Sequence, residues 1–386
     1  MKNFLTTNFV KKIIFGIMIF SSATVLAQET TITLPFTFSG SVDTYFRQNI
    51  GSSNRASDPS APNTSFANDP GFALGMVNLI AGYEGEKVGF VADLVFGPRG
   101  EDAVFLSDGN SSIVNQLYVY YKATDKLKFT FGNFNTFLGY EVISPTGNFN
   151  YSTSYMFSYG PFSHTGLKAD YAVTDAFSVM LAVMNPTDYT EFNPDASYTY
   201  GAQLSYVKDS WKAYLNFLIG DQDGLLDPDA DIIGDTSAGE TFQVDLTAGW
   251  DVTANWYLGL NATYNTTDSG QVFNPAGISE IDGPSTDFYG TALYLQYKVT
   301  EAFKLGVRGE YFKEFNGGVG AIGAYDAGGE ANVYEVTLSG NYTIGGLTII
   351  PEFRIDTASE DVFINADRSG LKPNLVSFVL AAVYKF

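Results

Sequence analysis

Apolar and polar residues alternate with a period of two through most of the chain. Between residues 241 and 250, Phe242, Val244, Leu246, Ala248 and Trp250 fall on one face, and Gln243, Asp245 and Thr247 on the other. The same alternation sets Phe303, Leu305, Val307 and Tyr311 against Lys304, Arg308 and Glu310. It also sets Tyr334, Val336, Leu338 and Tyr342 against Glu335, Thr337, Ser339 and Asn341. Successive side chains of a strand point to opposite faces, so each segment reads as a strand with one apolar and one polar face. After residue 27 no stripe of helical period reaches comparable length. The pattern predicts an all-β chain.

The connections fall into two populations. Short ones lie at 84–87, 123–126, 174–176, 208–210, 252–255, 300–302 and 344–346. Several repeat one pattern, as in Val173-Thr-Asp-Ala-Phe177, Val299-Thr-Glu-Ala-Phe303 and Val252-Thr-Ala-Asn-Trp256. Long ones, rich in Gly, Pro, Asn, Asp and Ser, lie at 47–71, 98–112, 135–163, 186–197, 220–240, 267–286, 313–332 and 357–373. Long and short alternate strictly, which implies about 16 strands of roughly ten residues. A meander with long loops at one end and tight turns at the other describes a transmembrane antiparallel β-barrel, apolar faces to lipid and polar faces to the lumen. A lipid-facing sheet cannot leave edge N–H and C=O groups unpaired, so it must close. Phe46, Tyr83, Tyr121, Tyr171, Tyr206, Trp211, Trp250, Trp256, Tyr297, Phe303, Tyr342 and Tyr384 end strands, where such barrels carry aromatic girdles. The alternative, a secreted sandwich with a dry core, calls for faces of similar apolarity and a less regular loop scheme.

Composition narrows the picture. Charged residues make up 16% of the 386, against roughly 25% in soluble domains. The 32 Phe and 25 Tyr exclude a disordered chain, and the absence of Cys excludes disulfides and thiolate metal sites. A net charge of −21 argues against nucleic acid as a partner. Lys2, Lys11 and Lys12 precede an apolar run at 13–20 and small residues ending at Ala27, the pattern of a signal peptide over 1–27. That run is shorter than the ~20 residues of a spanning helix, which leaves the uncleaved anchor as the lesser alternative. Removing 1–27 takes away three Lys and no acid, leaving −24 on the barrel at 28–386.

The last alternation, Val376, Phe378, Leu380, Ala382, Tyr384 and Phe386, stops on an aromatic. It resembles the C-terminal signal by which Gram-negative barrels are handed to their assembly machinery. Phe386 is thus the expected assembly signal, and the Gram-negative outer membrane, with its lipid and lipopolysaccharide, the expected setting.

The stretch Phe131-Gly-Asn-Phe, Gly139-Tyr-Glu, Asn148-Phe-Asn-Tyr-Ser-Thr-Ser154 and Gly160-Pro-Phe-Ser-His-Thr-Gly166 resembles the OmpL-like β-barrel porin family, and Met184-Asn-Pro is compatible with it. The resemblance covers about 40 residues and implies an outer-membrane porin, with no substrate and no catalytic residues to carry over.

Sixteen strands leave an aqueous channel. Alternation places Asp43, Arg47, Asp93, Lys128, Lys168, Asp170, Lys212, Asp245, Lys304, Arg308, Glu310, Glu335, Glu352 and Arg354 on its lining. Opposed charges there filter solutes by size and dipole, or they simply pair and solvate the wall. By analogy with sixteen-stranded porins, the third long loop folds inward as a constriction lined by Phe134, Tyr140, Tyr151, Tyr155, Phe157 and Tyr159, with Glu141 as its charge; the alternative is an outward cap. His164, the only His, reads as a structural residue at a loop-to-strand corner rather than as a triad member with Ser163 and Asp170. Asp221, Asp223, Asp227, Asp229 and Asp231, followed by Asp235 and Glu240, could supply oxygen ligands to Ca²⁺, although the spacing departs from the twelve-residue calcium loop. A solvated acidic loop, or one bridged to lipopolysaccharide phosphates, fits equally. Apart from that Ca²⁺, no cofactor is expected.

The leading expectation is a non-enzymatic channel for passive diffusion of small hydrophilic solutes, trimeric by analogy. The alternatives are a non-conducting barrel subunit of an envelope complex, an outer-membrane phospholipase and a transporter of long hydrophobic solutes. The last two are disfavoured by the lumen-side placing of His164 and by the lack of an N-terminal hatch.

Overall fold

The computed structural model describes residues 35–58, 62–107, 109–193, 197–221, 240–268, 270–274, 277–281 and 285–386. The signal-peptide region at 1–27 and the acidic residues Asp223 to Asp235 lie outside the described residues, as does the Asp221 side chain.

The strands are β1 (Phe36–Ile50), β2 (Gly71–Glu84), β3 (Val88–Phe96), β4 (Val114–Lys122), β5 (Leu127–Asn135), β6 (Ser163–Ala172), β7 (Phe177–Met184), β8 (Thr199–Lys208), β9 (Trp211–Asp221) and β10 (Glu240–Asp251). They continue with β11 (Trp256–Thr267), β12 (Gly270–Asn274), β13 (Gly277–Ile281), β14 (Thr286–Lys298), β15 (Phe303–Phe315), β16 (Ala331–Ile344), β17 (Leu347–Ala358), β18 (Phe363–Ile364), β19 (Leu371–Lys372) and β20 (Asn374–Lys385). Sixteen of them, all but the small pairs β12–β13 and β18–β19 in the long loops, form one closed barrel in chain order. Closure joins β1 to β20 antiparallel, from Ser41 opposite Lys385 to Ile50 opposite Val376, so the barrel sheet has no free edge.

The amphipathy is inverted relative to a soluble barrel. Outward residues such as Phe72, Leu181, Leu293 and Val336 are exposed, whereas the inward Arg308 is fully buried. Water cannot reward an exposed apolar belt of this extent, but lipid does. Near the short-turn end the belt finishes in aromatic pairs: Trp211 stacks on Trp250 at 4.6 Å, and Trp256 meets Tyr297 at 4.4 Å.

The repeated threonine of the short turns has a local reason. The Thr124, Thr174, Thr253 and Thr300 hydroxyls each accept the backbone N–H three residues on, that of Leu127, Phe177, Trp256 and Phe303, at 3.0–3.1 Å. The side chain thereby closes the turn, and the following aromatic or leucine enters the membrane boundary. Two short helices, α1 (Pro98–Ala103) and α2 (Tyr155–Ser158), lie in the second and third long loops.

Candidate functional site: the inner wall and the third loop

The third long loop, residues 136–162, leaves β5 and is fastened to inward side chains far around the barrel. Its Gly139 N–H donates to Asp245 of β10 at 2.9 Å. The Tyr140 hydroxyl donates to Tyr257 of β11 at 2.8 Å, and its ring stacks on Tyr294 of β14 at 4.0 Å. The N–H groups of Tyr155 and Met156 both donate to Glu310 of β15 at 2.8 Å. Asn150 donates to Ser339 of β16, and the N–H groups of Tyr151 and Ser152 donate to Glu352 of β17 at 2.7 and 3.1 Å. The Tyr151 hydroxyl donates to Asp43 of β1 at 2.6 Å. Burial, reinforced by the Asp43 carboxylate, pushes the Tyr151 phenol well above its usual range, so it stays a proton donor.

Two arginines complete the fastening. Arg308 donates to Glu141 at 2.5 Å, to Glu335 at 2.9 Å and to the Ser152 carbonyl at 2.8 Å. Arg354 pairs with Asp356 at 2.7 Å and donates to the Thr153 carbonyl at 2.7 Å. Each carboxylate here is buried but meets N–H, O–H or guanidinium donors, which is the condition for burying charge at tolerable cost. Ser154 links the two layers: its N–H donates to Glu141 and its hydroxyl caps α2 by accepting from Phe157 N–H.

These contacts rearrange the lining expected from alternation. All fourteen lining residues stand on inward faces, but nine of them, Asp43, Arg47, Asp93, Asp245, Arg308, Glu310, Glu335, Glu352 and Arg354, are buried rather than bathed by the lumen. Asp93 is enclosed by the amides of Asn78, Asn115 and Gln116, and Arg47 donates to the Ala67 carbonyl of the first long loop. Lys128, Lys168, Asp170, Lys212 and Lys304, towards the short-turn end, stay at least partly open to water.

The loop's aromatics also differ from the expected constriction lining. Tyr155 and Tyr159 pack against Phe312 of β15. Phe157 packs with Phe66 and Phe162, and Tyr151 lies against Tyr45. These rings have their own apolar surface to bury, so they bind the loop to the wall instead of facing open water. Tyr140 is half-buried and borders a recess with Lys212. Glu141 is buried against Arg308. Phe134 sits beside the buried His164, whose Nε2 meets the Thr136 hydroxyl at 3.0 Å and whose ring lies against Phe137. No hydrogen bond joins His164 to Ser163 or Asp170; Ser163 N–H instead donates to Asp188.

Three participants escaped the sequence reading. Arg99 of α1 donates to the Ile143 and Tyr151 carbonyls. Glu314 of β15 accepts three N–H groups and the Tyr325 hydroxyl from the seventh long loop, and Asp356 holds Arg354. Glu314 and Asp356 share the parity of Glu310 and Arg354, so alternation carried them; nothing local marked Arg99.

The fold has counterparts among solved structures. OmpF of Salmonella typhi, solved in complex with daunomycin, aligns at TM-score 0.57 and 12% identity over 91% of this chain and 97% of that one. A loop-deletion variant of OmpT, an outer-membrane protein of Vibrio cholerae, aligns at 0.56 and 15% over 91% and 99%. OmpT in its trimer form aligns at 0.54 and 14% over 91% and 99%. At such identities the likeness is one of fold. No curated protein matches in sequence. The model of the family described as "Putative beta-barrel porin-2, OmpL-like" matches residues 35–386, that is, the whole barrel, and the chain belongs to that family of outer-membrane β-barrels.

Proposed function

We propose that the barrel is a porin, a water-filled channel for passive diffusion of small hydrophilic solutes, narrowed by its third loop. The observation that carries the reading is the fastening of that loop across the inner wall, with polar recesses left beneath it at Lys212 and at Lys304. A barrel of sixteen strands is wide enough for an aqueous path, and a loop held by buried charges is a fixed filter. The reading includes no enzymatic step, and enclosure of the single His by Thr136 and two phenylalanines speaks against a Ser–His relay in particular. Export by residues 1–27, recognition of Phe386 during assembly and a homotrimer complete the proposal; the trimer rests on the neighbour solved in that form.

The experiment is reconstitution of the purified protein in planar bilayers, where the reading expects stable conductance steps. One observation favours a second reading, a non-conducting subunit of an outer-membrane complex: the third loop leaves Arg308, Glu335 and Glu352 almost without solvent. A silent bilayer and a stoichiometric partner retained in mild detergent would decide for it.

A further inference from the structure

The third loop takes most of the lumen's carboxylates out of water. Asp43, Asp245, Glu310, Glu335 and Glu352 are all buried, bound to loop N–H groups, to the Tyr151 hydroxyl or, for Glu335, to Arg308. What the wall presents beneath the loop is lysine. Lys212 lines a recess of about 280 Å³ with Tyr140, Gln203, Tyr214 and Thr247. Its ammonium lies 5.4 Å from the Tyr257 ring centre. Lys304 and Lys385 line a second recess of about 210 Å³ with Asn148, Asn341, Thr343 and Thr348. Neither recess has a carboxylate side chain in its lining. Lys168 stands 4.9 Å from the Phe134 ring centre.

The other charges at this end nearly cancel. Glu84, Asp170 and Glu301 are offset by Lys122, Lys128 and Lys298 at 2.9, 3.7 and 3.0 Å. The turns intersperse Glu86, Asp125, Asp175 and Asp209 with Lys87, Lys126 and Lys208. Asp251, at the end of β10, is the remaining acid on the inner face, against Lys168, Lys212, Lys304 and Lys385, none of which has an ion pair among the described residues.

We infer that the channel prefers anions: small carboxylate- or phosphate-bearing solutes are drawn to Lys212, Lys304 and Lys385 beneath the third loop, despite the acidity of the chain. A confined wall of one sign raises the local concentration of its counterion, and rings of lysine select anions. The inference rests on the channel reading above.

The test measures the reversal potential of the full-length protein, purified from membranes, across a planar bilayer in a KCl gradient. The expected chloride-to-potassium permeability ratio is about 3, falling at least about twofold in Lys212→Gln/Lys304→Gln/Lys385→Gln. Conductance steps with a ratio below one, or a ratio unchanged in the triple variant, overturn the anion preference and leave the channel standing. Absence of steps in the parent protein overturns the channel and the preference together. If the triple variant does not reach the folded, heat-modifiable form, Lys212→Gln and Lys304→Gln singly provide the same comparison.

Discussion

Arg308 is where the interior converges: one guanidinium serves Glu141 of the third loop, Glu335 of β16 and the Ser152 carbonyl, with no solvent exposure. Removing one member of such a cluster leaves buried charge unmatched, at about 3–5 kcal/mol, whereas replacing all its charged members by apolar or amide groups costs much less. Arg308→Met is therefore expected to loosen the third loop, read as new protease cleavage within 136–162 in barrels that remain folded by electrophoretic mobility. Adding Glu141→Gln and Glu335→Gln to that variant restores a large part of the protection. Equal cleavage in the single and triple variants would show that Arg308 acts by packing and not by charge. Tyr151 offers a smaller test at the same scale. Tyr151→Phe removes the hydroxyl that meets Asp43 and leaves that buried carboxylate one donor short, a loss of about 1–3 kcal/mol. Chemical unfolding in detergent measures it.

Among elements, the third loop fits because the wall leaves room for it. A β-carbon at Gly259, Gly290 or Gly306 would collide with Tyr140, Met156 or Phe149 of the loop. These glycines are sockets on the inner face. Gly306→Val is expected to expel Phe149, lower stability by about 1–3 kcal/mol and expose the loop to protease. Gly309→Val, three residues along the same strand with nothing near its β-carbon, is expected to be neutral. Similar behaviour of the two variants would remove the socket argument. The contrast also shows what was legible in the sequence. Strand, turn and face followed from alternation, because lipid on one side and polar lining on the other impose period two on every strand. The fastening of the loop did not follow, because its partners are far apart in the chain: Glu141 meets Arg308, Tyr151 meets Asp43, and Gly139 meets Asp245. Pairs of that separation leave no local period. The socket glycines were visible but indistinguishable from turn glycines, and nothing in the aromatics of 140–159 told packing from lining.

For the whole molecule, the distribution of charge matters more than its sum. The lipid-facing belt carries the apolar residues, the third loop holds the inner carboxylates, and lysines are left open towards the short turns. A belt that faces lipid has a property no soluble barrel shares: the cost of a charge on it depends on depth. Leu293 lies near the middle of β14, pairs with Leu260 and Gly309, and is 56% exposed. Leu305 lies two residues from the start of β15, opposite the girdle residue Tyr297. Lysine at a bilayer midplane costs about 2–4 kcal/mol, and near the interface about 0–1 kcal/mol. Leu293→Lys is therefore expected to destabilise the barrel by the larger amount and Leu305→Lys by the smaller, in reversible urea unfolding from phospholipid bilayers. Dilution into detergent micelles, whose boundary adapts to a charged side chain, should shrink the gap. Equal costs at the two depths in bilayers would contradict the assignment of this face to lipid, and with it the reading of the opposite face as a channel wall.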